Sequence, residues 1–314
     1  MKTQLINSGL LIIAFSLAAA GALYADKHNA STIERARDNA ENSGSATHIR
    51  DSSAHAIPIQ DYQRIVSVNT VADRLLLELV EPERLVAVTR YSQKSHPDGW
   101  RFGERHSIAK ANDLEAILAL KPDLVIASAF ADPSFNARLR EGGVQVVDIG
   151  EVRGVRTTLQ GLRILSSVLN VRQRGVQLEQ RFLQRLAALE GQRPPQGRVS
   201  GIYLTYYGDA FFGGTTGSSY SDVMYYGGFD DVAAKHGYRD WPKYTPAELL
   251  TMNPVVIVTQ TDMGEAICEH SALRALAACQ PGGRVIEMTN AYHSDPGLGI
   301  AEAALALQKL LYGS

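Results

Sequence analysis

Phenols and guanidiniums, rather than nucleophiles or clustered imidazoles, carry what chemistry this sequence offers. Tyr91 stands just past the apolar run Leu85–Thr89. A tyrosine phenol ordinarily titrates at about 10, yet ferric iron displaces its proton and binds the phenolate. A loop tyrosine capping its lobe is the plainer use. Arg90 and Arg101 bracket the same loop, with Lys94 and His96 between them. A guanidinium pairs bidentately with anionic oxygens, and a basic surface loop accounts for the same residues. Tyr206 and Tyr207 end a later strand, where alternation sends one ring to each face. His293, with Asp295 nearby, is a further candidate contact, or a solvated loop histidine. The other histidines show no ligand spacing such as H-x3-H, which disfavours a dedicated zinc or manganese carrier.

Other motifs resolve into structure rather than catalysis. GGTTGSSYSD (213–222) lacks the Lys-Ser/Thr end of a Walker loop. Ser219-x-x-Asp222 within it reads as a capping box that opens a helix, although backbone N–H groups there also suit an anionic ligand edge. No G-x-S-x-G elbow, H-E-x-x-H or C-x-x-C occurs, so no enzyme is expected. Cys268 and Cys279 are the only cysteines. With ten residues between them and no partner cysteines, they make a poor zinc or redox motif. In an oxidising compartment they are expected to pair as a structural staple.

The compartment is legible at the N-terminus. Lys2, the apolar run Gly9–Ala20 and the small residues after it read as an export signal, assigned to residues 1–25. Cleavage after Ala22 or after Ala25, or retention as an anchor, are all compatible with it. No cysteine lies near the cleavage region, which leaves a free periplasmic protein as the expectation. Residues 26–58 are polar and poor in large apolar side chains, and read as a flexible leader. A net charge of −2 gives no electrostatic case for a nucleic-acid partner.

The elements that must position these residues begin at Arg64. Apolar runs at 65–69, 85–89, 123–128 and 143–149 alternate with helical stretches at 71–80, 114–121 and 134–141. Such alternation argues for a parallel sheet covered on both faces. From Thr157 to Glu190 apolar residues recur at three- and four-residue steps, with Asn170 and Gly175 as the only breaks. The pattern fits one long helix, possible length about 50 Å, or two ordinary helices. Strand–helix alternation then resumes, with strands at 198–206, 255–260 and 284–288. Helices are expected at 219–228, 270–278 and 299–311. AILALKPDLVIA (116–127) aligns without gaps on ELLTMNPVVIVT (248–259), 132 residues later. Each is a helix closed by Lys/Asn-Pro before a buried strand, which points to two similarly built lobes.

Those units carry a family resemblance. RIVSVNTVADRLLLELVEPERLVAVTRYS, LEAILALKPDLVIAS, the long central helix and GGTTGSSYSDVMYYGGFDDVAAKHG together resemble the helical-backbone solute-binding proteins of ABC importers, over about residues 62–312. The family serves iron–siderophore complexes, haem and cobalamin. The resemblance implies an α/β fold of two Rossmann-like lobes, 59–153 and 194–314. One long helix over 154–193 joins them, and the ligand lies in the cleft between. It implies a periplasmic monomer that hands its ligand to an inner-membrane permease and its ATPase, without an intrinsic cofactor.

Ligands of open parallel sheets sit beyond the carboxyl ends of the strands. The cleft residues expected there are Arg90, Tyr91, Ser92, Trp100 and Phe130 from the first lobe. Tyr206, Tyr207, Tyr220, Asp262 and His293 are expected from the second. Were the ligand haem, the resemblance makes Tyr91 and His293 its candidate iron ligands. The expected ligand order is ferric siderophore, haem, then cobalamin. Positions resembling the cobalamin subfamily's stacking tryptophans hold none, since Trp100 and Trp241 lie elsewhere. Permease docking, by resemblance, falls to Glu115, seven residues before Pro122. In the second lobe that position is Ala247, with Glu248 one later; a solvated first-turn glutamate is the alternative for both. A secreted two-lobed enzyme and a periplasmic sensor are the readings from other classes.

Overall fold

The computed structural model of the chain describes residues 47–127, 132–192, 197–289 and 296–313. Residues 1–47 make one unit, and residues 48–314 a second that holds every element below. The export signal and residues 26–46 of the leader lie outside the described residues.

The leader ends sooner than its composition suggests. β1 (His48–Arg50) and β2 (Ala56–Pro58) form an antiparallel hairpin with Ile49 opposite Ile57. The Asp51 carboxylate ties the turn by accepting the N–H groups of Ser53 and His55, and it also accepts that of Asp148. Ile57 enters the first lobe's core. One buried isoleucine and one buried aspartate anchor a segment whose overall polarity resembles disorder.

The first lobe is a five-stranded parallel sheet in the order β5-β4-β3-β6-β7. Its strands are β3 (Ile65–Ser67), β4 (Leu85–Thr89), β5 (His106–Ile108), β6 (Leu124–Ile126) and β7 (Gln145–Val147). The helices between them are α1 (Thr70–Leu79), α2 (Arg90–Lys94), α3 (Leu114–Ala119) and α4 (Pro133–Glu141). Apolar cores lie on both faces of this sheet, which is why its strands read as continuous apolar runs.

The lobes are joined through helix, and the join is double. α5 (Val155–Val168) and α6 (Arg172–Gly191) are separated by a turn in which Asn170 takes a left-handed φ of 58°. Arg163 pairs with Glu179, and a Cβ on Gly175 would meet Ser166. Residues sixteen apart in a continuous helix would lie about 24 Å from one another, so the two helices fold back on each other. Both cross between lobes. In α5, Val155 packs on the second lobe's core while Leu162 and Leu165 enter the first's; in α6, Leu178 enters the first and Phe182, Leu186 and Leu189 the second. The 50 Å rod is thus replaced by a pair in which α6 measures about 30 Å.

The second lobe opens with β8 (Val199–Tyr203) and a short hairpin of β9 (Thr205–Tyr207) and β10 (Ala210–Phe212). α7 (Ser219–Tyr226), β11 (Phe229–Asp231), α8 (Val232–Lys235), β12 (Lys243–Tyr244), α9 (Pro246–Met252) and β13 (Val256–Gln260) follow. α10 (Gly264–Glu269), β14 (Arg284–Met288) and α11 (Gly299–Tyr312) complete it. β11-β8-β13-β14 is a parallel sheet, and β12-β10-β9 a small antiparallel one. The aligned helix–Pro–strand units are α3–β6 and α9–β13. Lys121 and Asn253, at matching positions before the prolines, both adopt left-handed φ, 48° and 41°.

Residues 270–278 are not the helix their periodicity suggests; they form turns and end in a 3-10 turn at Ala277–Cys279. The expected Cys268–Cys279 disulfide is present, with its Cα atoms 5.4 Å apart. Nine helical residues would hold the two ends about 12 Å apart or more. The staple favours compact turns over a helix between its ends.

Candidate functional site

In both sheets the first strand lies between neighbours that lead away on opposite sides: β3 between β4 and β6, β8 between β11 and β13. Beyond the carboxyl ends of such strands the loops diverge and leave a crevice.

The first lobe's wall is a polar scaffold. Asn69 caps α1 by accepting the N–H groups of Val71 and Ala72, and its amide donates to Ala127 O, tying the end of β3 to the end of β6. Thr89 caps α2 by accepting Ser92 N–H, and its own N–H and hydroxyl donate to the Asp73 carboxylate. Asp73 is fully buried, and desolvation pushes its carboxyl up to about 6 against the hydrogen bonds that lower it. Above this scaffold Asn69, Thr89, Arg90 and Tyr91 line a cavity of about 440 Å³. Tyr91 is 37% exposed. Among the described residues its hydroxyl has no hydrogen-bond partner, and its phenol contributes to an upward shift at Tyr220 of the other lobe.

The second lobe's wall is aromatic. Tyr203, at the end of β8, stacks on Tyr220 with ring centroids 4.0 Å apart. Trp241 lies 5.1 Å from Tyr220 and 5.9 Å from Tyr203. Gly214 lets these rings close, since a Cβ there would fall 2.6 Å from both Trp241 and Tyr220. Tyr207 donates to Gln260 Oε1 at 2.7 Å, Gln260 Nε2 lies 3.5 Å from the Tyr203 hydroxyl, and Tyr203 and Tyr220 are hydrogen-bonded. Burial, first of all, raises the phenols of Tyr203 and Tyr220 above the ordinary tyrosine value. Both remain neutral hydrogen-bonding rings at physiological pH; of the exposed phenols that act on Tyr220, Tyr207 is engaged with Gln260 and Tyr91 is not hydrogen-bonded among the described residues.

Of the expected residues, Arg90 and Tyr91 line the first lobe's cavity, Tyr220 lines a cavity with Trp241, and Tyr207 joins the second lobe's cluster through Gln260; the others lie elsewhere. Ser92 is 2% exposed and belongs to the buried Asp73–Thr89 network; its hydroxyl supports the wall and does not face a ligand. Tyr206 points away from Tyr207, stacking on Phe211 and donating to Asp209. Trp100 projects from the 3-10 turn Gly99–Phe102 at 79% exposure, because its neighbours Asp98 and Arg101 bind that turn to Arg74 and Glu78 of α1. Asp262 takes a left-handed turn after β13, its N–H donated to Glu287. Phe130 and His293 lie outside the described residues. Glu115 is exposed in the first turn of α3, where Asp113 is the cap. Glu248 is instead engaged: it accepts the Thr245 N–H at 2.7 Å in a capping box, which lowers its carboxyl. Among the described residues no three His, Cys, Asp or Glu side chains converge as a metal site. No described helix is long and apolar enough to cross a membrane.

Tyr203, Gln260 and Trp241 are the members of this aromatic cluster that sequence reasoning missed. Tyr203 and Gln260 carried a signal, since each ends a strand of the parallel sheet. Trp241 carried none: it reaches the cleft because Thr215 N–H donates to Asp240 O and Asp240 N–H to Thr216 O, a pairing of distant loops.

A family model described as periplasmic binding protein matches residues 65–292, well over half of the chain. The chain belongs to the periplasmic binding protein family. Its members bind small molecules in the periplasm and work with ABC transporter permeases. No curated protein matches this periplasmic binding protein by sequence. Solved structures do by fold. A periplasmic binding protein from Veillonella parvula superposes with a TM-score of 0.71 at 15% identity, covering 86% of this chain and 99% of that one. The apo periplasmic haem-binding protein RhuT from Roseiflexus sp. gives 0.66 at 21% identity, covering 80% and 98%. The molybdate-bound periplasmic binding protein MolA of Haemophilus influenzae gives 0.64 at 20%, covering 85% and 92%. At such identities the likeness establishes the two-lobed fold.

Proposed function

We propose that this protein is the periplasmic substrate-binding component of an ABC importer, and that it captures an iron complex, a ferric siderophore first of all, for an inner-membrane permease. It binds without turnover and holds no intrinsic cofactor; the iron arrives with the ligand. The observation that carries this reading is an accessible Tyr91 phenol beside the Arg90 guanidinium in the first lobe's cavity, close enough to the Tyr203–Tyr220–Trp241 cluster for its charge to act on Tyr220. Stacked rings suit the flat aromatic groups of a chelator, and a guanidinium suits its negative charge. Glu115 is the docking carboxylate of this reading; Glu248, held in its cap, is the weaker one.

Haem is the second reading, favoured by the unpartnered phenol of Tyr91, which suits an axial ligand to ferric iron. Cobalamin stays third, although Trp241 in the crevice now supplies a ring that the sequence placed elsewhere. Titrating the purified protein with catecholate and hydroxamate ferric siderophores, and with haem and cobalamin in parallel, separates these readings. Quenching of Trp241 emission at one-to-one stoichiometry is expected. Failure of every ferric siderophore to quench removes the first choice, and an unshifted Soret band removes haem. Consumption of a substrate in place of stoichiometric retention would turn the reading to an enzyme.

A further inference from the structure

Behind the aromatic wall lies a second recess that the cleft does not use. It has a volume of about 770 Å³ and runs along the start of α5 and the Gly217–Asp222 loop. Four arginines line it: Arg153, Arg156, Arg163 and Arg239, against the carboxylates of Asp222 and Asp240. Arg153 is paired with Glu151 and Asp240, and Arg163 with Glu179. Asp222, partly buried, spends its carboxylate on the Val155 N–H at 2.7 Å. Among the described residues Arg156 and Arg239 have neither a carboxylate partner nor a hydrogen-bond acceptor, so the recess carries two uncompensated guanidiniums. Two guanidiniums without carboxylate partners in one recess suit an anion that carries more than one charged group.

We propose that this recess is a binding site for a small, multiply charged oxyanion, a polyphosphate or a polycarboxylate, distinct from the cleft ligand. Guanidiniums bind both by the same bidentate geometry. The site borders the cleft through a shared partition: Arg153, Gly217, Ser218 and Asp240 also line a cavity of about 230 Å³ beneath Trp241. An anion in the recess competes with Asp240 for Arg153, at 3.1 Å now, and so disturbs the residue next to Trp241.

Calorimetric titration of the full protein with sodium pyrophosphate and, separately, sodium citrate at low ionic strength tests the site, with Trp241 emission as a second readout. Stoichiometric binding and an emission change are expected. The double variant Arg156→Gln/Arg239→Gln should weaken binding about tenfold or more, as loss of charged hydrogen bonds requires. Each single variant should fall between it and the unaltered protein. Arg90→Gln, which touches only the cleft, should leave anion binding in place. Binding of both anions supports recognition of multiple charge in general, and binding of one alone supports the site while assigning it to phosphates or to carboxylates. No binding of either, affinity unchanged in a folded double variant, or loss of binding in Arg90→Gln overturns the proposal.

Discussion

The two walls of the cleft are built on opposite principles. The first lobe's wall is backbone fixed by polar links: Asn69 and Thr89 cap the helix starts just after their own strands, and Asp73 and the Asn69 amide then tie those caps to Thr89 and to Ala127, 16 and 58 residues away. The second lobe's wall is a ring cluster drawn from β8, α7 and the loop before β12, held by stacking and by hydrogen bonds of long sequence span. A wall of local caps can be read from a sequence, and one of converging loops cannot. The first should therefore govern stability and the second affinity.

The sharpest way to break that contrast is Tyr220→Ala with Trp241→Ala. Two centrally placed aromatic rings of the hot-spot kind are worth on the order of 4 kcal/mol together, roughly a thousandfold in Kd. A loss below tenfold by fluorescence or calorimetry would deny the aromatic wall its role. Asp73 tests the other wall. Its native pKa of about 6 lies above the unfolded carboxylate value of about 3.9, so the native state binds more protons over that interval. Its contribution is therefore greatest at low pH and falls as pH rises from about 4 to about 6, by roughly 3 kcal/mol at most. Urea unfolding across that range should show the fall in the unaltered protein and its absence in Asp73→Asn. Tyr91→Phe removes one accessible hydroxyl and should weaken ligand binding by about tenfold, with a lost charge-transfer or Soret feature if iron is bound there. Glu248→Ala, which removes the N3 acceptor, should cost about 1 kcal/mol of stability through its cap while leaving permease stimulation largely intact; Glu115→Ala should do the reverse. Stimulated ATP hydrolysis in reconstituted vesicles and thermal melts read both.

The same division explains what was legible. The parallel sheets, the helix between lobes and the matched helix–Pro–strand units follow from apolar periodicity, and Lys121 and Asn253 show that the repeat extends to backbone conformation. Tyr91 and Arg90 reach the crevice because they follow a strand. Ser92 follows the same strand and is buried, because one turn of α2 rotates it toward Asp73. Residues 270–278 keep helical periodicity but lose the helix to a covalent bond, a competition that local propensity cannot register. The hairpin at 48–58 was hidden because its anchors are single residues in a polar run.

The doubled-back join of α5 and α6 limits how this receptor can move. One rod between two bodies leaves them able to swivel about its axis, whereas two braced rods, each gripped at both ends by Leu162, Leu178, Val155 and Leu186, resist torsion as a truss does. Relative motion of the lobes is then channelled into bending across the pair rather than twisting about it.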